Sequence, residues 1–284
     1  MLEQAFLETL MDKAWPAVER EALDVGNAGE WVLRASAGVT QRANSVWPRN
    51  LQGMLADTPE LGSSPGLASS PDLERSVSSA SSWYRQRRLP LIFQIFDDSR
   101  SAGLNASAGL NAVLDGQRFT RQSETLIMVR GMDVLETLDD RPQRVELSDA
   151  PTDEWLRLWW SVDGRGGQAE LEVARAILTG CESVYALVRD DDGGPAAVGR
   201  LALVDGWGGL YAMATSATHR RRGYGTMVLA ALLNEGAARN LQGFWLLVTA
   251  SNRGAQALYS RAGFVEQGSY LYRQAPLRRA PGGC

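Results

Sequence analysis

Hydrophobic and polar positions change rhythm several times along this chain of 284 residues. Over residues 2–23, Phe6, Leu7, Leu10, Met11 and Trp15 recur at helical spacing, which predicts an amphipathic helix that Pro16 breaks or kinks. EWVLRAS, 30–36, alternates as a strand does, and RANSVW, 42–47, is placed to pair with it. Residues 51–82 turn rich in Ser, Pro and Gly; their first half reads as a loop, and a helix is predicted from Asp72 to Arg88. LPLIFQIF, 89–96, has a buried-strand pattern. The hexapeptide SAGLNA then occurs twice in tandem at 101–112, too short a duplication for a solenoid, and leads from a loop into a short helix at 109–115. ETLIMVRGM, 124–132, is another strand, and the polar, proline-containing stretch 136–154 that follows places a linker at 136–150.

The second half is more regular. A strand at 143–147 precedes helices at 152–161 and 167–179, then strands at 183–190, 197–205 and 208–214. A helix over 223–238 follows, then the fully apolar strand FWLLVTA, 244–250, and a helix over 253–263 that ends on Gly263. FVEQGSYLYR, 264–273, reads as a hairpin. The order β-α-α-β-β-β-α-β-α-β-β predicts a mixed α/β domain over 144–275, preceded by a smaller α/β domain over 1–135 and followed by a disordered tail, 276–284.

Composition narrows the chemistry. A net charge of −4 and a pI near 5.3 argue against broad contact with nucleic acid or anionic membranes, so the arginines at 220–222 are a local feature. Two cysteines, Cys181 and Cys284, make no disulfide framework and fit a reducing cytoplasm. The N-terminal stretch carries acidic residues within its apolar pattern, unlike a signal peptide. No apolar run approaches the roughly 18 residues of a membrane span. Histidine occurs once, at His219, and no His/Cys cluster has metal-ligand spacing, so no metal is expected.

The turn THRRRGYG, 218–225, raises the central question. Helix N-termini carry unpaired amides and the positive end of the dipole. Gly223 and Gly225 let a ligand approach those amides, while Arg220, Arg221 and Arg222 offer guanidinium groups suited to phosphate oxygens. A phosphorylated or pyrophosphorylated guest is expected. The turn lacks the GK[ST] of a P-loop and the GxGxxG of a dinucleotide fold. One strand downstream, Asn252 stands at a strand end and Tyr259 seven residues later, two helical turns on and on the same face.

RRRGYG at 220–225 and NRGAQALYSRAGF at 252–264, in this order, spacing and strand-helix context, resemble the GNAT superfamily of acyl-CoA-dependent N-acyltransferases. The likeness covers about 144–273 and implies the GNAT fold. It implies that Arg221, Arg222, Gly223, Tyr224, Gly225 and Thr226, with Arg220 alongside, wrap the pyrophosphate of acetyl-CoA. It implies that Met213, Ala214 and Thr215, on a strand spread from its neighbour, bond pantetheine, that Asn252 contacts CoA, and that Tyr259 protonates the departing thiolate. EWVLRASAGVTQRANSVWP, 30–48, and WYRQRRLPLIFQI, 83–95, resemble the first part of two-part actinobacterial-type GNAT proteins. That part is then a degenerate GNAT half without the Arg-x-x-Gly-x-Gly turn, expected to hold no second CoA and to cover the acceptor pocket.

The resemblance implies direct attack of a primary amine, of a small molecule or an α-amino group, on acetyl-CoA in a ternary complex. A backbone N–H at Met213 or Ala214 would polarise the carbonyl. The base is the open position. Ribosomal-protein N-terminal alanine acetyltransferases, which the strand FWLLVTASN resembles, carry a glutamate where this chain has Leu247. His219, Glu154, Glu182 and Asp205 are unranked candidates. Without a strong base, an α-amine near pKa 8 suits better than lysine near 10.4. Some of Trp31, Trp47, Trp83, Trp159 and Trp207 are expected along an acceptor channel, with most of them in the core. An inactive acyl-CoA-binding protein and a protein N-terminal or lysine acetyltransferase are the alternatives, and a monomer or homodimer is expected.

Overall fold

The computed structural model describes residues 2–25, 29–49, 71–97, 107–122, 124–132 and 145–276. In chain order the elements are α1 (Gln4–Ala14), β1 (Glu19–Asp24), β2 (Glu30–Ala35), β3 (Trp47–Arg49), α2 (Pro71–Gln86), β4 (Ile92–Phe96), α3 (Ala108–Gly116), β5 (Thr120–Arg121) and β6 (Thr125–Gly131). They continue with β7 (Val145–Ser148), α4 (Asp153–Asp163), α5 (Gln168–Thr179), β8 (Ser183–Arg189), β9 (Pro195–Val204), β10 (Trp207–Thr215), α6 (Tyr224–Ala238), β11 (Gly243–Thr249), α7 (Arg253–Arg261) and β12 (Val265–Gln274). Two compact units interleave along the chain. The first takes the chain as far as Pro16 and Leu126–Gln267; the second takes Ala17–Thr125 and the chain from Gly268 on. Most of the expected linker, and the tail from residue 277, lie outside the described residues.

The first unit is a mixed sheet in the order β6-β11-β10-β9-β8-β7. β7, β8, β9 and β10 pair antiparallel in succession, and β10 pairs parallel with β11. The parallel step is possible because α6 provides the crossover between those strands. α6 is apolar nearly all round, and Val228, Leu229, Leu232 and Leu233 bury against Leu201, Leu210 and Phe244. A helix of that composition is stable only when packed over most of its surface.

α1 and α4 pack on β9 and β10 of the same sheet. In α4 the Trp155 indole N–H lies 3.0 Å from the Ala186 carbonyl and 3.2 Å from that of Gly199, with its ring edge-on to Tyr185 at 5.2 Å. Thr152 caps the helix by accepting from the Trp155 amide. In α1, Leu7, Leu10, Met11 and Ala14 are buried at i, i+3, i+4 and i+7. Arg200, with no solvent exposure, donates to the Ala14 carbonyl at 2.9 Å, and its guanidinium lies 5.8 Å from the Trp15 ring and 5.9 Å from that of Tyr211. A cation on the last carbonyls of a helix fits both an orphan acceptor and the negative end of the dipole.

The second unit has a three-stranded antiparallel sheet, β1-β2-β3, and a β4–β12 antiparallel pair that β5 joins through β12. Val46 bridges in parallel to Phe93. α2 covers this core with Leu73, Val77, Ala80 and Tyr84, and the Tyr84 hydroxyl donates to the Arg34 carbonyl at 2.9 Å. Arg34 in turn holds Ser45 at 2.9 Å and Gln94 at 2.6 Å.

Most expected elements stand within a few residues of their sequence positions, and three differ. The helix expected over 2–23 ends at Ala14, because Pro16 has no amide to continue it; Glu19–Asp24 is instead strand β1, mostly exposed and therefore without an apolar alternation to read. The partner of the 30–36 strand is the short β3 at Trp47–Arg49, with Val46 turned to β4. The expected hairpin over 264–273 is one continuous strand, β12. Gly268 is not among the residues with positive φ, and Tyr270–Gln274 pair with β4 where a return strand was expected.

Replacing Trp155 with Phe keeps the ring and leaves two buried carbonyls without their donor. Unfolding in urea should show a loss of about 1–3 kcal/mol. A change near zero would mean that the indole bonds do not hold α4.

Candidate active site

β10 and β11 stop pairing halfway. Their register runs Gly208–Phe244, Gly209–Trp245 and Leu210–Leu246, while β10 continues to Thr215 and β11 to Thr249. On its other edge β10 shifts register against β9 between Tyr211 and Ala214. Ala212 sits in this bulge with φ +51°, a conformation rare for a residue with a side chain. Bulges of this kind re-aim a strand, and backbone strain of this size persists only where the surroundings impose it. Beyond Leu210 the two strands therefore present backbone donors and acceptors to each other without joining. Met213, Ala214 and Thr215 lie on this stretch, and Leu247 begins the facing one.

The arginine-glycine turn connects that strand to α6. Ala217–His219 forms a single 3-10 turn, Arg221 has φ +66°, and Gly223 has φ +87° as the residue before the helix. The left-handed angle at Gly223 is one that a residue with a Cβ adopts only under strain. No side chain caps α6, so the amides of Tyr224 and Gly225 point out of the helix end, while Thr226 and Met227 bond the Gly223 carbonyl at 2.9 and 3.1 Å. Arg220, Arg221, Arg222 and Gly223 are exposed beside them. A Cβ built on Gly225 would meet Thr215 Oγ1 at 3.6 Å and Leu258 Cδ2 at 3.9 Å, which is ordinary contact. Protein packing alone does not require glycine there.

α7 supplies the other two expected residues. Asn252 caps it, its side-chain oxygen accepting from the Ala255 amide at 3.1 Å. The side chain is exposed. Tyr259, on the same helix, is buried with its ring 6.1 Å from Phe264. Burial first, and the charge of Asp163 second, push its phenol up to about 12. At neutral pH it is therefore a held proton donor.

The expected bases are otherwise engaged. His219 Nε2 lies 3.0 Å from Asp190 Oδ2, and its Nδ1 lies 2.5 Å from Ser216 Oγ and 3.2 Å from Thr218 Oγ1, so neither nitrogen is open to an incoming amine. Glu154 holds Arg189 at 2.8 Å, and that hydrogen bond keeps its carboxyl below the usual range. Asp205 pairs with Lys13 at 2.8 Å in the turn that precedes β10. Eight residues of strand, roughly 25 Å, separate that turn from Thr215. Glu182 lies at the same distant end, since β8 starts opposite Ala202, which pairs with Gly209.

The structure adds Asp163, which sequence reasoning missed. It ends α4 on the stripe of Trp155 and Trp159, every fourth residue on one face. It keeps solvent access, yet protein packed beside its carboxyl pushes its pKa up, opposed by a hydrogen bond from Trp159 and the charges of Arg220 and Arg165. It is close enough to Tyr259 for its charge to register on the phenol. The available signal was an acid closing an otherwise aromatic helix face. The five tryptophans expected in part along a channel are all buried, Trp31, Trp47 and Trp83 in the second unit and Trp159 and Trp207 in the first.

Comparison with known proteins bears on the family and the fold. A family model described as probable histone acetyltransferase Rv0428c C-terminal matches residues 4–273. The uncharacterized N-acetyltransferase YobR of Bacillus subtilis (strain 168) is 26% identical over 272 residues, 94% of this chain and 96% of that protein. A GCN5-related N-acetyltransferase from Kribbella flavida aligns with a TM-score of 0.63 at 17% identity, over 100% of this chain and 97% of the other. A tandem GNAT protein from the clavulanic acid biosynthesis pathway aligns with a TM-score of 0.56 at 14% identity, over 72% and 68% of the two chains. At these identities the two structures speak for the fold. The match over nearly the whole chain places it in the family described as probable histone acetyltransferase Rv0428c C-terminal, as an N-acetyltransferase with the GNAT fold.

Proposed function

We propose that this N-acetyltransferase moves an acetyl group from acetyl-CoA to a primary amine, on a small molecule or an α-amino group, by direct attack in a ternary complex. The observation that carries the reading is the end of β10, open on its β11 edge, leading through a short turn into an uncapped helix N-terminus rimmed by three arginines. In this reading Arg221–Thr226, with Arg220, hold the pyrophosphate, and Met213–Thr215 bond pantetheine through the backbone. The Asn252 side-chain NH2 takes a further CoA oxygen. A backbone N–H at Met213 or Ala214 polarises the thioester carbonyl.

The amine nitrogen forms a bond to the carbonyl carbon, and the carbon–sulfur bond breaks. Tyr259 hands its proton to sulfur, and the proton leaving nitrogen passes through Asp163 to restore the phenol. From a phenol near 12 to a thiolate near 8.5, full transfer is uphill by about 5 kcal/mol. Tyr259 therefore acts first as a strong hydrogen-bond donor to the developing thiolate, and transfer completes as nitrogen loses its proton. Asp163 also attracts the incoming ammonium. With Leu247 in place of a carboxylate on β11, an amine already partly neutral, near pKa 8, is the better acceptor. Protein lysines are the second acceptor class, favoured by the description of the matched family.

Thiol release from acetyl-CoA across small amines, α-amino peptides and a histone-tail peptide tests the reading. Turnover is expected to be greatest with α-amines, and no turnover with any of them would contradict it. Tyr259→Phe should lower kcat about 100- to 1,000-fold with KM for acetyl-CoA nearly unchanged. With its phenol near 12, Tyr259 contributes no falling limb to the kcat profile below about pH 10. A limb near pH 8.5 that disappears in Tyr259→Phe would contradict this assignment.

Two further variants separate the ligands. Gly225→Ala has room for its Cβ and should keep or slightly raise Tm, while calorimetry shows acetyl-CoA affinity falling about tenfold or more, because the methyl stands over the helix end. Unchanged affinity would remove the helix N-terminus from the site. Asp163→Asn should raise KM for the amine about tenfold and lower kcat, since an amide relays no proton, without weakening acetyl-CoA binding. The opposite pattern would place Asp163 with the cofactor.

A further inference from the structure

His219 joins three separate pieces of the first unit. Its Nε2 meets Asp190 Oδ2 at 3.0 Å, its Nδ1 meets Ser216 Oγ at 2.5 Å, and its ring stands edge-on to Tyr224 with centroids 5.5 Å apart. Asp190 belongs to the β8–β9 hairpin, Ser216 is the first residue after β10, and Tyr224 is the first residue of α6. Asp190 is itself fixed: its other oxygen accepts from the Gly194 amide at 2.7 Å and the Asp192 amide at 3.0 Å, and its own amide bonds the Gly194 carbonyl at 2.8 Å. The hairpin thus spends one carboxylate oxygen on its own turn and aims the other at the imidazole.

The direction of the bonds follows. The amides of Gly194 and Asp192 and the His219 ring hold the Asp190 carboxyl below the usual range, so it is a carboxylate that can only accept. Nε2 of His219 is then the donor. In the neutral ring Nδ1 is left as an acceptor, and the Ser216 hydroxyl donates to it. Both groups are mostly shielded, each with 18% of its side-chain surface exposed, so the bond competes little with water.

We infer that His219, held by Asp190, is a positioning residue for the acyl donor: it pins the Ser216–Gly223 turn, and with it the arginines and the open amides of α6, against the β8–β9 hairpin. Backbone bonds hold the start of the turn, Ser216 N–H to the Ala196 carbonyl and His219 N–H to the Ser216 carbonyl, each at 3.0 Å, but the part after His219 carries two left-handed residues, Arg221 and Gly223, and leads into a helix with no side-chain cap. A turn that is ordered before binding spares the ligand the cost of ordering it. This inference rests on the acetyl-CoA reading of the turn.

The test compares His219→Leu, which keeps an apolar side chain beside Tyr224 and removes both hydrogen bonds, with His219→Gln, whose side-chain NH2 can replace the Nε2 donor. His219→Leu should raise both Kd and KM for acetyl-CoA about tenfold with kcat at saturation within about twofold, and His219→Gln should restore most of the loss. Asp190→Asn keeps the oxygen that closes the hairpin. Its effect on Kd should not add to that of His219→Leu if one latch is involved. Equal Kd in wild type and His219→Leu would overturn the inference and leave the acetyl-CoA reading intact, as would a Gln variant as poor as Leu. Amide exchange of the ligand-free protein gives a second readout. Residues 216–226 should exchange faster in His219→Leu, and unchanged exchange would overturn the latch even if the wild type bound no acetyl-CoA.

Discussion

β10 and β11 pair parallel through Leu210 and Leu246 and then part, and the site depends on that parting. A sheet normally satisfies backbone groups strand by strand, so two strands that separate leave donors and acceptors facing a gap. The bulge at Ala212, with its left-handed backbone, turns β10 away while Ala214 and Thr215 stay paired to β9. The strand therefore remains anchored on one edge and open on the other. That geometry suits a ligand that bonds like a strand, and pantetheine has amides with which to do so.

Charge completes what the backbone begins. The end of the open strand runs through a 3-10 turn and the exposed Arg220–Arg222 into the uncapped N-terminus of α6. The His219–Asp190 contact ties this turn to the neighbouring hairpin, so the cationic rim is held rather than free. Asp163 ends the Trp155–Trp159 stripe, feels the charge of Arg220 and acts in turn on Tyr259, which burial keeps protonated. A cationic rim and a carboxylate thus lie within one unit of the protein.

Much of this could be read before the fold was known, because the residues concerned are confined by local geometry. Gly223 needs its left-handed angle, Asn252 caps a helix, and Tyr259 follows two turns later on the same face; each leaves a short-range signal. Other features depend on partners distant in sequence. The strand β1 carries exposed side chains and exists because β2 pairs with it. β12 gave the alternation and glycine of a hairpin, yet its partner is β4, some 175 residues earlier. The bulge fell on Ala212, where no glycine announced it. His219 was weighed as a base, and its role turned on Asp190, 29 residues away, which composition could not assign. Asp163 was passed over because an acid at a helix end is ordinary until the tyrosine opposite it is seen.

Hydrogen exchange of the backbone amides with and without acetyl-CoA tests the central claim most directly. The parted strand and the uncapped helix end are the groups that a bound donor would cover. Added acetyl-CoA should slow exchange at Met213–Thr215 and Tyr224–Thr226 and leave the amides of β1, β2 and β4 unchanged. Protection confined to residues outside 211–226, or none at saturating ligand, would contradict it.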